Sequence, residues 1–318
     1  MTTQKNFLRR VGSRYSVDRS TMSNTEWICE NTSLRGRPFS TKSYEFQKAI
    51  LDDNHPNLSC RKISQVGLSE CQIRKTICFI NRHQGVSAIF TLPTETMFKR
   101  MSKSRIKPIV ENTPALNTER DQGASRSMDV MQFGHSWLFV TACLEGDATS
   151  IAADIVMNDE VDLSPQDILA LFNSRLQNSN YRINQRFSTP TFPSYGIDQD
   201  WNISDQHHYL IRCSSCNKWN NPEFTREFVH IPGLPEQVQN LTELDSSMVD
   251  VIELNNSYVK CKHCDSPLDL GNSDLRDWVP TTRAGLIIEV IRFRHFRRID
   301  WGLIISFSNF SITNKGIT

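Results

Sequence analysis

Between Trp27 and Tyr195, short apolar segments alternate with segments of helical periodicity, and this alternation constrains the fold more than any other feature of the chain. The predicted strands are residues 58–64, 87–92, 137–142, 153–157 and a fifth that ends at Phe187. The predicted helices are residues 70–81, the basic stretch from Lys99 and a segment after Pro165. Strands that alternate with helices form parallel sheets, because each connection has to cross the sheet. The sequence therefore predicts an α/β fold with a mostly parallel sheet flanked by helices.

Composition excludes several other classes of protein. Hydrophobic residues make up 38% of the 318 residues and the mean hydropathy is -0.44, which is typical of a globular protein. No apolar run reaches the roughly 18 residues that span a bilayer, so we expect no membrane segment. The net charge is only +1, and the basic clusters at 99–107 and 292–298 are each either a solvated face or a surface that meets phosphate.

The segment from Lys62 to Ser69 lies between a predicted strand and a predicted helix, where a phosphate-binding loop belongs. In the pattern G-x-x-x-x-G-K-[ST], the second Gly lets backbone amides surround phosphate, the Lys neutralises charge and the hydroxyl binds Mg²⁺. Gly67 and Ser69 match this pattern, but Leu68 replaces the Lys and Lys62 replaces the first Gly. A long Lys at the start of the loop could reach the same phosphates. The alternative is an ordinary strand-turn-helix in which Ser69 caps the helix.

An acidic pair follows the strand predicted at 153–157. A triphosphate hydrolase needs carboxylates at the end of such a strand, one for Mg²⁺ and one for the attacking water. Asp159 and Glu160 fit these two roles. The alternative is an acidic turn that has no catalytic function.

Four of the nine cysteines form two Cys-x-x-Cys pairs, separated by 44 residues. The pairs are Cys213 with Cys216 and Cys261 with Cys264. Two such turns complete a tetrahedral four-thiolate shell for Zn²⁺, and a closed shell has a structural role. The alternatives are four unligated thiols, or a site in which His263 replaces one Cys.

Taken together, these segments resemble the large terminase subunits of lambda-like tailed bacteriophages, the GpA-like family, from about Trp27 to about Trp301. That branch has a deviant phosphate loop whose Lys stands at the start, as Lys62 does. Further matches follow in order: Pro93 to Met97 with Ser102, Arg105, Ile106 and Pro108, then Asn158 to Asp162, Ser188 to Thr191, and Ser204 to Gln206.

The resemblance implies a P-loop NTPase-like core that hydrolyses ATP to package double-stranded DNA into a prohead. Lys62 and Glu160 would be catalytic, Ser69 and Asp159 would bind Mg²⁺, and Ser188, Thr189 and Pro190 would form the motif that couples hydrolysis to DNA movement. The implied nucleotide-binding residues are Lys62, Gln65, Val66, Gly67, Leu68 and Ser69. The arginine finger stays open among Arg100, Arg105 and Arg175.

The resemblance also implies cofactors and partners. ATP, Mg²⁺ and Zn²⁺ are the expected cofactors. Double-stranded DNA, the small terminase subunit, the portal or prohead and further copies of the chain are the expected partners, in the host bacterial cytoplasm.

For domain organisation we expect a flexible leader at 1–25, an ATPase core at 26–200, a segment with a zinc ribbon at 201–280 and a remnant at 281–318. That remnant would lead toward the nuclease domain of the relatives. From residue 277 onward the only acids are Asp277, Glu289 and Asp300, too few for a nuclease site, so we expect no DNA cleavage by this chain alone.

A second hypothesis is a zinc-ribbon DNA-binding or assembly protein, the product of a degenerate prophage gene, whose ATPase site has decayed. Leu68 permits this interpretation. The presence of both Asp159 and Glu160 favours an active enzyme.

Overall fold

A computed structural model describes residues 22–116, 126–238, 240–241 and 253–282, and the backbone of 289–292. The described residues divide into two compact units. The first comprises residues 22–58 and 65–191, and the second comprises residues 59–64 and those from 192 onward. Parts of three predicted segments lie outside the described residues: residues 1–21 of the leader, residues 293–298 of the second basic cluster and most of the remnant.

The first unit is built on a sheet with the strand order β5-β6-β4-β7-β8. Its strands are β4 (Ser87–Leu92), β5 (Val130–Phe133), β6 (Ser136–Ala142), β7 (Ile155–Asp159) and β8 (Ile183–Ser188). All neighbours are parallel except β5, which forms an antiparallel hairpin with β6 around Gly134, at φ +59°. The interior strand β7 is buried along its whole length, as expected for a strand covered on both faces. The predicted α/β fold class is therefore confirmed.

Strand β3 (Asn57–Arg61) begins in the first unit and ends in the second. Its start lies beside β8, because the carbonyl of Pro56 accepts a hydrogen bond of 2.6 Å from the amide of Asn184. The strand stops at Arg61, whereas the sequence predicted it to reach Ser64. The reason is the turn that follows, in which Gln65 and Gly67 both adopt positive φ angles that a strand does not allow.

Helices and short pieces complete the first unit. They are α1 (Asn24–Asn31), β1 (Ser33–Leu34), β2 (Arg37–Pro38), α2 (Phe46–Asp52), α3 (Leu68–Arg82), α4 (Glu95–Met101), α5 (Lys107–Glu111), α6 (Glu145–Ser150) and α7 (Gln166–Ser174). Helix α1 starts with a capping box, in which Ser23 and Glu26 each accept the other's backbone amide.

Helix α3 is buried on almost all sides, and two of its cations are buried with it. Arg74 is 0% exposed, pairs with Glu70, donates to the Ser33 carbonyl at 2.7 Å and lies 4.5 Å from the ring centre of Phe39. Lys75 donates to the Ile50 carbonyl at 2.8 Å, near the end of α2, where a cation complements the helix dipole. These contacts fix α3 against the N-terminal segments, because a buried cation is tolerated only when it is fully paired.

The helix predicted over the basic stretch is interrupted. Residues Ser102–Ile106 form a π-helical turn between α4 and α5, in which the amide of Lys107 bonds to the carbonyl of Ser102. Pro108 has no amide hydrogen to donate, and such a loss locally widens a helix. The turn exposes Lys103 and Arg105 and buries Ser102.

The second unit is a set of short strands around a small core. It contains α8 (Ile197–Asn202), β9 (His207–Arg212), β10 (Trp219–Asn220), β11 (Val229–His230), β12 (Tyr258–Val259), β13 (Arg276–Pro280) and β14 (Glu289–Arg292). Strand β9 pairs antiparallel with β10 and β13 and parallel with β14, while β11 pairs with β12. The core of this unit contains two clusters of buried residues: Ile211, Cys213, Phe228, Val259, Cys261 and Leu268 in one, and Val229, Ile231 and Leu241 in the other.

In the part of the chain that the structure describes, none of the helices is long and apolar enough to cross a bilayer.

Candidate functional site

The loop before α3 ends in a left-handed glycine. Gly67, at φ +77° and ψ 11°, occupies the cap position of α3, and Ser69 is the second residue inside the helix. The alternative in which Ser69 caps the helix is therefore wrong. Gly67 has no side-chain acceptor for the first amides of α3, and amides at such a helix start attract anions.

Gln47 holds this loop from α2. Its side-chain amide donates to the carbonyl of Val66 at 2.9 Å, and Gln47 is only 4% exposed. A Cβ atom added at Gly67 would lie 2.9 Å from the same nitrogen. The backbone conformation thus favours glycine here, and a larger residue would also have to displace the side-chain amide of Gln47. The sequence did not reveal this role, since a glutamine in a short helix carries no distinctive signal.

Both candidate positions for the phosphate-binding lysine are buried, and only one of them holds a lysine. Leu68 is 1% exposed and belongs to the core, so the usual Lys position is occupied here by a packing residue. Lys62, in the second unit, is the first residue after β3 and is also buried, at 6%. Its neighbour Arg61 is held by an ion pair of 2.8 Å with Asp198 and lies 6.0 Å from the ring centre of Trp201.

The acidic pair stands at the carboxyl end of β7. Asp159 is the last residue of the strand and is 1% exposed, and its Oδ1 accepts the amide of Glu160 at 3.1 Å. Glu160 is half-buried and left-handed, at φ +54° and ψ 50°. This conformation costs a non-glycine residue roughly 1 kcal/mol, and such strain is concentrated at functional sites.

Buried amides join α3 to this edge of the sheet. The side-chain amide of Gln72 donates to the carbonyls of Asn158 at 3.3 Å and Gln185 at 3.5 Å. Asn158 also accepts from Thr91 on β4 at 2.7 Å and donates to Asn184 on β8 at 2.9 Å. Gln72 lies about one helical turn after Ser69, and Asn158 directly precedes Asp159. The start of α3 and the end of β7 therefore meet at one edge of the first unit.

The segment from Ser188 to Thr191 reaches the same edge. Ser188 ends β8, is fully buried, and accepts the amide of Asp162 at 3.1 Å. Thr191 donates to the carboxylate of Asp162, while Thr189 is exposed and Pro190 is half-buried. The sequence prediction did not assign a role to Asp162.

The three arginine-finger candidates have different surroundings. Arg105 lies 3.7 Å from the carboxylate of Glu70, in the first turn of α3. Arg175 donates to the Thr149 carbonyl at 2.9 Å and so ties the end of α7 to α6. Arg100 is exposed on α4.

The four paired cysteines converge in the second unit. Their sulfur atoms all lie within 4.8 Å of one another, with 3.7 Å between Cys213 and Cys264 and 3.6 Å between Cys216 and Cys261. A tetrahedral zinc–thiolate shell, with Zn–S bonds of about 2.3 Å, places sulfurs about 3.8 Å apart. Disulfide bonds are far shorter, at about 2.05 Å. The cluster is therefore compatible with zinc.

The two cysteine turns share one backbone design. In each turn the backbone carbonyl of the first Cys accepts a hydrogen bond from the amide of the residue four positions later. That residue is Asn217 in one turn and Asp265 in the other, and both are left-handed. His263 is exposed, and its ring nitrogen is 3.3 Å from the carbonyl of Trp219, while its backbone amide donates to the sulfur of Cys261. Among the described residues, the clustered metal-ligand candidates are the four cysteines without His263.

The thiols of the cluster differ in acidity: the backbone of Lys218 lowers the pKa of Cys216, but burial and the neighbouring thiols outweigh it and raise that pKa to about 12. The side-chain hydrogen bond of Ser266, with its backbone amide, lowers the pKa of Cys264 to about 6, which favours the thiolate that binds metals. Burial raises the pKa of Cys71 and Cys78 to about 12 and that of Cys143 to about 11. The latter three are protonated core residues at neutral pH.

Comparison with solved structures finds large terminases. The HK97 bacteriophage large terminase is 10% identical, with a TM-score of 0.46 over 57% of this chain and 40% of that chain. The large terminase from a thermophilic bacteriophage is 12% identical, with a TM-score of 0.38 over 52% of this chain and 43% of that chain. The matched part thus spans less than half the length of either terminase. No curated protein matches the chain in sequence.

The sequence itself carries the stronger comparison. The family model for the ATPase domain of phage terminase large subunit gpA matches residues 37–275, well over half of the chain. The match confirms the resemblance drawn from the sequence motifs. The chain belongs to the family of phage terminase large subunit gpA ATPase domains.

Proposed function

We propose that this chain hydrolyses ATP where α3 begins and β7 ends, and that hydrolysis drives double-stranded DNA into a prohead. The observation that carries the proposal is the buried contact of Gln72 with Asn158, in a chain of this family. It brings a glycine-capped helix start next to paired carboxylates, the two components that nucleotide hydrolysis requires.

The loop would bind the phosphates mainly through its backbone. Amides of residues 65–69 face an anion at a helix start whose dipole adds positive potential. Leu68 takes part only through its main chain, because its side chain is in the core. Lys62 supplies the ammonium charge that the usual lysine provides in other phosphate loops.

The proposed Mg²⁺ ligands are Ser69 and Asp159. A hydroxyl and a carboxylate are hard oxygen donors of the kind that this ion prefers. Once bound, Mg²⁺ would neutralise charge on the outer phosphates. Glu160 polarises the attacking water as a general base, and its left-handed backbone fixes the direction in which the carboxylate leaves the strand.

The packaging role comes from the family. A translocating motor has to hold any sequence, so we expect contacts to the phosphate backbone of DNA. Ser188, Thr189 and Pro190 would transmit the phosphate state, and the small terminase subunit, the portal or prohead and further copies of the chain would be partners. Residues 26–200 would form the ATPase core and 201–280 the zinc-ribbon segment.

The buried Leu68 favours one competing function, a zinc-ribbon DNA-binding or assembly protein with a decayed ATPase site. ATP hydrolysis by the purified chain, measured with and without double-stranded DNA and a nuclease-bearing partner, separates the two. Hydrolysis that DNA stimulates supports the motor. DNA binding without any hydrolysis supports the alternative.

We further propose that Cys213, Cys216, Cys261 and Cys264 bind one Zn²⁺. The closed four-sulfur shell would leave no open position for chemistry, so the ion would be structural. Its binding energy would be coupled to the ordering of residues 209–267.

The substitution Glu160→Gln should lower kcat for ATP by a factor of about 100 or more, because the general base is lost. ATP affinity should change little, since Asp159 and the loop remain. Steady-state hydrolysis and equilibrium ATP binding measure the two effects, with Glu145→Gln on exposed α6 as the matched control. Turnover within about tenfold of the parent would remove Glu160 from the catalytic role.

The substitution Lys62→Ala should weaken ATP binding about tenfold or more, by the loss of one charge-assisted contact. Arg61→Ala is the neighbouring control: it breaks the ion pair with Asp198 and should lower thermal stability more than ATP affinity. Nucleotide titration and thermal unfolding of both variants measure this difference. If Arg61→Ala were the variant that lost ATP affinity, the lysine assignment would be wrong by one residue.

Protein purified under reducing conditions should carry close to one equivalent of zinc, and Cys264→Ser should lower that content sharply. Cys29→Ser, outside the cluster, should leave it unchanged. Chelation should raise the protease sensitivity of residues 209–267 before it affects ATP binding. Zinc-free protein, or an unchanged content in the Cys264 variant, would reject the metal site.

A further inference from the structure

A buried aspartate, Asp162, is bonded to both ends of the segment 188–191. Its amide donates to the hydroxyl of Ser188 at 3.1 Å. Its Oδ2 accepts from the amide of Thr191 at 2.8 Å and from the hydroxyl of Thr191 at 3.0 Å. Three hydrogen bonds therefore connect the turn after the acidic pair to the end of β8.

The chemistry of these bonds makes the connection strong. A carboxylate only accepts hydrogen bonds, and bonds to an ionised acceptor are roughly twice as strong as neutral ones. Asp162 is 6% exposed, so its carboxylate has little access to water, although Thr191 itself is exposed. A displacement of Thr191 has to move Asp162 with it or leave a buried carboxylate without these donors.

A short turn joins Asp162 to Glu160. Residues Val161–Leu163 form one turn of 3₁₀ helix that starts at Glu160, and the amide of Leu163 donates to the Glu160 carbonyl at 3.0 Å. The side-chain amide of Gln166 donates to the Val161 carbonyl at 2.7 Å. The turn is hydrogen-bonded within itself and to α7. A displacement of Asp162 therefore moves the backbone of Glu160 with it.

We propose that Asp162 is a positioning residue that couples the segment 188–191 to the carboxylate of Glu160. While the three bonds are intact, the turn holds Glu160 in its left-handed conformation and aims it at the reacting water. Movement of Ser188 and Thr191 then changes hydrolysis through Asp162 rather than through contact with ATP. This inference rests on the proposed ATPase function.

The test compares variants that remove or keep the Oδ2 acceptor. Asp162→Ala loses it, whereas Asp162→Asn keeps one amide oxygen that can receive both Thr191 donors. We expect kcat to fall at least tenfold in Asp162→Ala and to stay within about threefold of the parent in Asp162→Asn, with ATPγS affinity nearly unchanged in both. Asp167→Ala, at an exposed position of α7, is the control and should keep parental turnover.

Coupling is measured by a double-mutant cycle with Thr191→Val, which removes only the hydroxyl donor. The pair Asp162→Ala with Thr191→Val should be no slower than Asp162→Ala alone, because the interaction is already lost. Should Asp162→Ala fail to fold, Thr191→Val and Ser188→Ala carry the test: each should lower kcat about threefold or more at unchanged ATPγS affinity.

Three results would overturn the inference. Parental kcat in Asp162→Ala would do so while leaving the proposed function intact. Losses of kcat, ATPγS affinity and thermal stability in equal proportion would show a structural role only. In the case of a fold failure, parental kcat in both Thr191→Val and Ser188→Ala would have the same consequence. A parent chain that hydrolyses no ATP would instead remove the proposed function, and this inference with it.

Discussion

The site in the first unit depends on one buried interaction, the hydrogen bonding of Gln72 to the carbonyls of Asn158 and Gln185. Gln72 is fully buried, and its Oε1 has no hydrogen-bond partner among the described residues, while its Nε2 donates to these two carbonyls. Those partners are the edges of two parallel strands, and the bond sets where α3 lies along them. Together with the buried packing of α3 on the sheet, this bond places the glycine-capped loop and the carboxylates at one edge.

Part of the left-handed backbone of the described residues lies at that edge, where side chains hold it in place. Gln65, Gly67 and Glu160 all have positive φ angles. Gln47 secures the carbonyl next to Gly67, and Asp162 secures the turn that follows Glu160. Strained residues persist only where their surroundings over-determine them, and here buried polar contacts do so. Gln47 lies outside the segments matched in the sequence, and Asp162 ends the matched segment 158–162 without a role assigned to it there.

The sheet, the loop and the cysteine turns were predictable because each has a local signal. Strand β4 was predicted with its observed bounds, since its apolar run coincides with the strand. Strand β7 begins two residues later than predicted, at Ile155, and the carboxylate of the preceding Asp154 accepts from the amide of Ser87 and the hydroxyl of Ser179. The interruption of the basic helix was missed, because the presence of Pro108 in the sequence does not tell whether the helix ends, kinks or widens there. Gln47, Gln72 and Asp162 were missed because their roles come from tertiary contacts alone.

The central claim is that the start of α3 and the end of β7 form one nucleotide site. Amide hydrogen exchange measured by mass spectrometry, with and without ATPγS and Mg²⁺, tests it directly, because bound nucleotide protects the amides that it contacts or orders. We expect protection in residues 65–72 and 158–164 together, with little change in residues 213–264. Nucleotide binding that left residues 65–72 unprotected, or protected them without 158–164, would contradict it.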